Sequence, residues 1–380
     1  MRVITGDETG LLKLVDVMSN TSSRFGEQNR ELGIKGLAWV VQNEEFFLAR
    51  SNGLLEYYTV TGGELVCRDS VQVTLEGAVA GLVCNQEGTV SMYSSAGGVA
   101  TFNRSAGGKI HDLQNMLTAR GPVSSIAVND SLVAVGGQEN DVQLWDATKK
   151  EVLWSAKNVP HDFLSLRVPV WVTSLSFMRT NDCYSEHEIV TGTGHKHVRM
   201  YDVRAKRQPV LSIDIGDFRV TSIAPHIDGS SVFVGDTSGG FNIWDVRNSA
   251  RTAVLSGATG SIRDCAVHPY GSTVATVSLD RFLRVYDCTN GYKSVSTVYL
   301  KNRMTSCILF DDFVRKAGQL SQMEDFESDN EDSSDGERVE NSRKKVKSNN
   351  GAAVKVAPVA SDSDGSDIDM SESDSDVSGS

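Results

Sequence analysis

Short runs of alternating apolar and polar residues, each preceded by a glycine turn, recur along most of the chain. A clear copy is Gly235–Arg247, GDTSGGFNIWDVR, in which the alternating run ends in Trp-Asp. Gly6–Val17 has the same order of turn, alternation and closing Asp-Val. An alternation with a period of two indicates β-strands, and a fixed order that recurs along a chain indicates a repeat architecture.

The residue pairs that end these runs are almost evenly spaced. Successive pairs are separated by 43, 44, 43, 56, 43 and 42 residues, so one interval contains an insertion. The pairs are Val15-Asp16, Tyr58-Thr59, Phe102-Asn103, Trp145-Asp146, Tyr201-Asp202, Trp244-Asp245 and Tyr286-Asp287. Seven units with four strands each predict a closed radial array of blades.

Each unit also contains an apolar strand with small residues at its second and third positions. Strands nearest the axis of a radial array crowd together, so these strands are predicted to be the innermost of each blade. They are Ile34–Trp39, Val79–Cys84, Val123–Val128, Val172–Phe177, Val220–Pro225 and Ile262–Val267. A seventh, Met304–Leu309, follows the last terminal pair, and we expect it to pair with Arg2–Thr5 and close the array.

The long interval and the C-terminal region depart from this pattern. Asn158–Arg167 and Thr180–Glu188 are predicted as loops. Residues 1–313 are expected to form one domain, and residues 314–380, rich in Ser, Asp and Glu, a disordered tail. Residues 321–380 contain sixteen acidic and six basic residues and account for −10 of the formal net charge of −12. The nearly neutral remainder argues against indiscriminate nucleic-acid binding.

The cysteines and the hydropathy favour an intracellular protein. The six cysteines have no CxxC spacing and are expected to be reduced core thiols. The first residues already belong to the repeat, which argues against a signal peptide. No apolar run approaches the roughly 18 residues that cross a membrane, so we expect no membrane partner.

The Trp-Asp pairs at Trp145 and Trp244, with Tyr-Asp variants at Tyr201 and Tyr286, resemble the WD-repeat β-propeller family. The resemblance implies an all-β, seven-bladed propeller in which N- and C-terminal strands share one blade. The family's Gly-His dipeptide ahead of the innermost strand is absent, and Gly257-Ala258 stands in one of its places. We therefore expect the family's His-to-Asp-to-Trp hydrogen-bond network to be missing.

Four stretches resemble more specifically the nucleolar WD-repeat proteins of large-ribosomal-subunit assembly: Gly136–Asp146, Pro169–Phe177, Thr191–Val210 and Lys301–Cys307. The resemblance implies a non-enzymatic scaffold in the nucleus and nucleolus, without a cofactor, that takes part in rRNA processing. Its implied partners are ribosome-assembly proteins of the large-subunit precursor and an AAA-type remodelling ATPase that removes it. Whether ribosomal RNA is contacted stays open at this point. We expect a monomer within a larger particle.

Several cations flank the starts of the innermost strands, near one mouth of the predicted channel. With one aromatic residue they form a candidate partner-binding rim: Lys35, Arg120, Arg167, Trp171, Arg219, Arg263 and Arg303. Such a ring can bind acidic proteins or RNA. The alternative is ordinary surface charge, since charged loops are common in soluble proteins.

Other motifs favour neither a metal site nor catalysis. His195 and His197 are two residues apart, but only His187 is near enough in sequence to be a third ligand, so no metal site is predicted. Gly192–Gly194 precedes no helix and is predicted to be a strand turn rather than a phosphate loop. GxSxG, HExxH and P-loop patterns are absent from the sequence, which leaves a propeller enzyme a remote alternative.

A short motif offers another function. Trp244–Arg247 and Tyr201–Arg204 resemble the WDxR boxes of propellers that act as substrate receptors of cullin-type ubiquitin ligases. Arg after Trp-Asp also occurs as a simple solvated strand end. This function is the alternative to ribosome assembly.

The tail contains two kinds of candidate site. A basic cluster at Arg343, Lys344, Lys345 and Lys347 suits nuclear import, although a solvated charge run has the same composition. Serines beside acidic residues suit an acidophilic kinase, namely Ser328, Ser333, Ser334, Ser361, Ser363, Ser366, Ser371, Ser373 and Ser375. Phosphorylation would make the tail more acidic, so that it contacts basic ribosomal proteins or shields the basic rim.

Overall fold

A computed structural model describes residues 1–85, 87–105, 108–161, 164–180 and 183–310. In this part of the chain, 28 β-strands form seven four-stranded antiparallel sheets. The one helical element described is a single 3-10 turn at Arg30–Leu32. The prediction of an all-β, seven-bladed propeller is confirmed.

The strands and blades are numbered in chain order. Blade 1 contains β4 (Ile34–Val41), β5 (Glu45–Arg50), β6 (Leu54–Thr61) and β7 (Glu64–Gln72). Blade 2 contains β8 (Val79–Cys84), β9 (Val90–Ser94), β10 (Gly98–Arg104) and β11 (Ile110–Thr118). Blade 3 contains β12 (Ser125–Asn129), β13 (Leu132–Gly137), β14 (Asn140–Asp146) and β15 (Glu151–Ser155). Blade 4 contains β16 (Val172–Thr180), β17 (Cys183–Thr193), β18 (His197–Asp202) and β19 (Leu211–Asp214).

The remaining blades continue in the same way. Blade 5 contains β20 (Val220–Pro225), β21 (Ser231–Asp236), β22 (Phe241–Asp245) and β23 (Ala250–Leu255). Blade 6 contains β24 (Ile262–Val267), β25 (Thr273–Ser278), β26 (Phe282–Asp287) and β27 (Lys293–Tyr299). Blade 7 contains β28 (Met304–Phe310), β1 (Arg2–Asp7), β2 (Leu12–Asp16) and β3 (Thr21–Phe25), in that spatial order.

The first strand of each blade lies next to the central channel. The strands β4, β8, β12, β16, β20, β24 and β28 contact one another in a closed ring. Crowding is visible at Gly36, where a Cβ atom would lie 2.8 Å from the backbone nitrogen of Leu82 on the neighbouring strand. The assignment of the small-residue strands to the innermost position is therefore confirmed.

Blade 7 closes the ring with strands from opposite ends of the described chain. β28 pairs antiparallel with β1, with Val3 opposite Leu309 and Thr5 opposite Cys307. A buried ion pair ties this blade together, because Lys13 Nζ lies 3.1 Å from Asp7 Oδ2 and donates a 2.8 Å hydrogen bond to the carbonyl of Leu300. The predicted pairing of Met304–Leu309 with Arg2–Thr5 is confirmed.

The hydrophobic core consists of seven clusters, one between each pair of adjacent blades. The first residue of each terminal pair, aromatic in six of the seven, faces the preceding blade, as Trp145 and Trp244 do. The indole N–H groups of these two tryptophans are buried and have no hydrogen-bond partner in the described protein. This agrees with the prediction that the family's hydrogen-bond network is missing here.

The structure corrects the prediction for Thr180–Glu188. The described residues of this segment belong to strands: β16 and β17 continue beyond the propeller ladder as a hairpin, in which Arg179 pairs with Tyr184 and Thr180 with Cys183. Asn129 of blade 3 supports the extension by donating to the carbonyls of Tyr184 and Ser185, each at 3.4 Å. The described residues of Asn158–Arg167 form no strand, as predicted.

The expectation of six core thiols is also partly wrong. All six cysteines are free, and Cys265 and Cys307 are buried. Cys67 and Cys183 are exposed, because Cys67 lies on the outermost strand of blade 1 and Cys183 at the end of the extended hairpin. No helix in the described part of the chain is long and apolar enough to span a bilayer.

Candidate partner-binding surface

In six blades, the residue before the innermost strand is anchored at one mouth of the channel. In each of them, an N–H in the turn between the second and third strands donates to a carbonyl at this position. These bonds are Glu8 to Arg303, Ser51 to Gly33, Ser95 to Ala78, Gly194 to Trp171, Thr237 to Arg219, and Leu279 to Ser261, at 2.8 to 3.1 Å. Three predicted rim residues, Trp171, Arg219 and Arg303, occupy this position.

Trp171 and Arg219 form the best-defined contact on the rim. The Arg219 guanidinium lies 4.9 Å from the centre of the Trp171 ring, a cation–π distance, although the two residues belong to different blades. His195 meets the same indole edge to face, with ring centres 6.2 Å apart. The indole packs against Gly194, where any Cβ atom would overlap it. This glycine therefore makes room for the aromatic side chain.

The structure divides the six predicted cations into two groups. Arg167 lies 2.8 Å from Glu139, and Arg303 lies 3.8 Å from Glu8, so both have an acidic neighbour. The other four have no ion pair with any described residue, and all are exposed: Lys35, Arg120, Arg219 and Arg263. Positive charge that is free to meet a partner is thus concentrated on these four.

Lys35 and Arg263 differ from the rest because they face the channel itself. Both line a cavity of about 480 Å³ enclosed by the innermost strands. The cavity also contains Asp264, whose carboxylate accepts hydrogen bonds from the Ser306 hydroxyl at 2.8 Å and the Cys307 N–H at 3.0 Å. Burial deep in the propeller raises the pKa of Asp264 to about 6 in spite of these bonds.

The histidines do not come together as metal ligands. His197 Nδ1 lies 2.6 Å from the carbonyl of His195, and burial lowers the pKa of His197. His187 lies within β17, where its carbonyl accepts from the N–H of Val203. Among the described residues, no three His, Cys, Asp or Glu side chains form a metal-binding group.

Each WDxR segment begins with the last two residues of the third strand, in blade 4 or 5, and continues into the turn that follows. In blade 5, the Arg247 N–H donates to Asp245 Oδ1 at 2.8 Å. In blade 4, Arg204 Nε lies 3.4 Å from Asp202 Oδ1. Each aspartate therefore caps its own turn, and the Arg204 guanidinium interacts within its own turn.

The sequence did not reveal a second surface at the far end of the channel. The extended hairpin brings Arg179 across to blade 6, where its Nη2 donates to the carbonyl of Pro269 at 2.7 Å. Tyr184 lines both the channel cavity and a groove beyond it, together with Trp39 and Leu309. The sequence carried no clear signal for it, because Cys183–Glu188 reads CYSEHE without apolar-polar alternation and the turn-like residues before it indicated a loop.

The candidate sites of the tail fall outside the described residues. They comprise the basic cluster Arg343, Lys344, Lys345 and Lys347 and all the predicted phosphorylation serines. The expected domain boundary after residue 313 also lies there and stays a prediction.

Comparisons with known proteins agree with the repeat architecture. Residues 249–287, from β23 to β26, match the WD domain, G-beta repeat. The chain is 29% identical to WD repeat-containing protein 74 of Bos taurus over 329 residues, which cover 81% of this chain and 80% of that protein. It is 28% identical to the Homo sapiens protein of the same name, with the same coverage.

A fungal protein is similar over a comparable length. The chain is 25% identical to the ribosome biogenesis protein nsa1 of Schizosaccharomyces pombe over 372 residues, 86% of this chain and 92% of that protein. The seven four-stranded blades, the recurring Trp-Asp ends and these similarities lead to one conclusion. The chain is a seven-bladed β-propeller with a WD-repeat match at residues 249–287, and it is similar over most of its length to WD repeat-containing protein 74 and to nsa1.

Proposed function

We propose that this protein acts in ribosome biogenesis as a non-enzymatic docking scaffold on the large-subunit precursor. Its fungal relatives support the process, since they are named ribosome biogenesis proteins. The observation that carries the docking role is the Arg219–Trp171 stack beside a group of cations without acidic partners. Tryptophan and arginine dominate the binding energy of protein interfaces, particularly where they are held in place before binding.

The rim residues offer two kinds of contact to a partner. Arg219 and Trp171 supply a fixed aromatic and cationic contact, while Lys35, Arg120 and Arg263 supply charge around the mouth. Assembly factors with acidic surfaces, or ribosomal RNA, are the partners that this combination attracts. Release by an AAA-type ATPase and residence in the nucleolus belong to the same proposal, on the strength of the family resemblance.

Charge reversal tests the docking role. The variant Lys35→Glu, Arg120→Glu, Arg219→Glu, Arg263→Glu should no longer sediment with the large-subunit precursor when cell extracts are separated on a sucrose gradient. The matched control reverses four exposed cations away from the mouth, namely Arg24, Lys206, Arg251 and Lys293. If both variants sediment with precursors like the wild type, the rim is not the docking surface.

Affinity purification with mass spectrometry separates this function from the alternative. Ribosome-assembly proteins and their remodelling ATPase should dominate the purified set and diminish in the rim variant. A cullin adaptor in their place, lost when Arg204 and Arg247 are replaced by alanine, would favour the ubiquitin-ligase receptor.

A further inference from the structure

Seven equivalent positions, one in each blade, form a ring around the channel mouth. Each is the residue after the first apolar position of the innermost strand, and all seven line the cavity of about 480 Å³. In chain order they are Lys35, Ala80, Ser124, Thr173, Thr221, Arg263 and Thr305. Two cations, four hydroxyls and one methyl group therefore face the same space.

Three of the hydroxyls can act only as acceptors toward the channel. Thr173 Oγ1 donates to the carbonyl of Gly192 at 3.1 Å, and Thr221 Oγ1 donates to that of Gly235 at 3.1 Å. Thr305 Oγ1 donates in the same way to a neighbouring strand, at 3.2 Å. A hydroxyl has a single proton, so these groups present lone pairs to whatever occupies the channel.

The two cations supply the opposite character. Lys35 on β4 and Arg263 on β24 lie on the strands at either side of β28, and neither has an ion pair with a described residue. Asp264 is the one acidic side chain among the residues that line the cavity. Its carboxylate is engaged by the Ser306 hydroxyl and the Cys307 N–H in the channel wall.

This arrangement discriminates between classes of ligand. Inorganic phosphate and a phosphodiester backbone carry mainly acceptor oxygens. The cations can bind these oxygens, but the threonine oxygens cannot, because they also act as acceptors. An acidic peptide carries carboxylates for Lys35 and Arg263 and backbone N–H donors for the threonines. The cavity volume falls within the usual range for ligand pockets, and both cations lie at the mouth, where an acidic segment would meet them first.

We infer that the channel mouth is a socket for an extended acidic segment of a protein partner. Carboxylates of the segment bind Lys35 and Arg263, and its N–H groups donate to Thr173, Thr221 and Thr305. The inference rests on the proposed function, to which it adds the chemistry of one partner.

The test uses the full chain with ¹³C-labelled threonine methyl groups, observed by NMR. The probe is the blocked peptide Gly-Glu-Asp-Glu-Gly, compared with its neutral counterpart Gly-Gln-Asn-Gln-Gly, with sodium phosphate and with hexauridylate. The acidic peptide should shift the methyl resonances of Thr173, Thr221 and Thr305, and the shifts should saturate. The neutral peptide, phosphate and hexauridylate should not shift these resonances. In Lys35→Gln, Arg263→Gln, the apparent Kd should rise at least about tenfold, equivalent to about 1.4 kcal/mol.

Two further variants sharpen the result. Arg251→Gln, Lys293→Gln removes the same charge from outer strands and should bind the acidic peptide like the wild type. Thr221→Val keeps the side-chain shape but removes an acceptor oxygen, so it should weaken binding of the peptide. Absence of peptide-induced shifts, or equal shifts with phosphate or hexauridylate, would overturn the socket.

The outcome is independent of the sedimentation experiment. If the charge-reversed rim loses the large-subunit precursor while the peptide does not bind the channel, only the socket inference fails. If the peptide binds as expected while the rim variant still sediments with precursors, the rim is not the surface that docks on the precursor, although the channel binds acidic segments.

Discussion

Replacement of Lys13 by methionine should weaken the closing blade more than any exposed lysine replacement. Lys13 and Asp7 are almost fully buried, with side-chain exposures of 1% and 0%. Asp7 also accepts a 2.8 Å hydrogen bond from Asn302, and Lys13 donates to the Leu300 carbonyl, so the pair links β1 and β2 to the segment before β28. Methionine retains the volume of the side chain but leaves a buried carboxylate without its cation.

The expected cost follows from the burial of the pair. Removal of one partner from a buried ion pair typically costs about 3–5 kcal/mol. Unfolding entropy is about 2.1 cal/mol/K per residue, or roughly 0.65 kcal/mol/K for some 310 residues. The melting temperature should therefore fall by about 5–8 °C.

Thermal unfolding followed by tryptophan fluorescence and circular dichroism measures the change. Lys293→Met, at an exposed position on the outer strand of blade 6, is the matched control and should cost less than about 0.5 kcal/mol. The double variant Lys13→Met, Asp7→Asn should be less destabilised than the sum of the single variants, because no charge is left stranded. Equal melting temperatures for Lys13→Met and Lys293→Met, or strict additivity in the double variant, would refute the reasoning.

Two further predictions concern the channel and the rim. Asp264 has a folded-state pKa of about 6 against an ordinary 3.8, so its contribution to the stability of the wild type should fall by about 3 kcal/mol as pH rises from about 4 through 6. Asp264→Asn should remove that fall in urea unfolding at a series of pH values, whereas the exposed control Asp217→Asn should retain it. Gly194→Ala should displace the Trp171 indole, alter the tryptophan fluorescence and cost about 1–3 kcal/mol. Gly98→Ala, where a new Cβ would meet nothing closer than 3.3 Å, is its control, and an unchanged spectrum in Gly194→Ala would contradict the packing.

The blade order could be predicted from the sequence because it depends on local patterns. Alternation, glycine turns and the terminal pairs identify strands within one unit, and the same order recurs in the next. The small residues of Val172–Phe177 and its counterparts indicated the axis, because crowding at the centre affects every blade alike. The pairing of β28 with β1 could be predicted by counting strands. The N-terminal unit lacked an innermost strand, and one additional innermost strand followed the last terminal pair.

Features that depend on contacts between distant residues could not be predicted in this way. A lysine on a strand usually faces water, and the burial of Lys13 is compensated only by Asp7 and the Leu300 carbonyl. The hairpin at Thr180–Glu188 is supported by Asn129, some 50 residues earlier. The distinction between Arg167, which pairs with Glu139, and Arg219, which stacks on Trp171, likewise requires the folded arrangement.

The pairing of β28 with β1 also determines when the last blade can be completed during translation. The free edge of β1 cannot pair with β28 until residues 304–310 have left the ribosome, after almost the whole propeller has been synthesised. At about 5–20 residues per second this delay is roughly 15–60 s. Throughout that time β1 presents unpaired N–H and C=O groups, the kind of edge that other chains can join. A nascent chain of this protein therefore passes through a long interval in which six blades can form while the seventh stays open to misassociation.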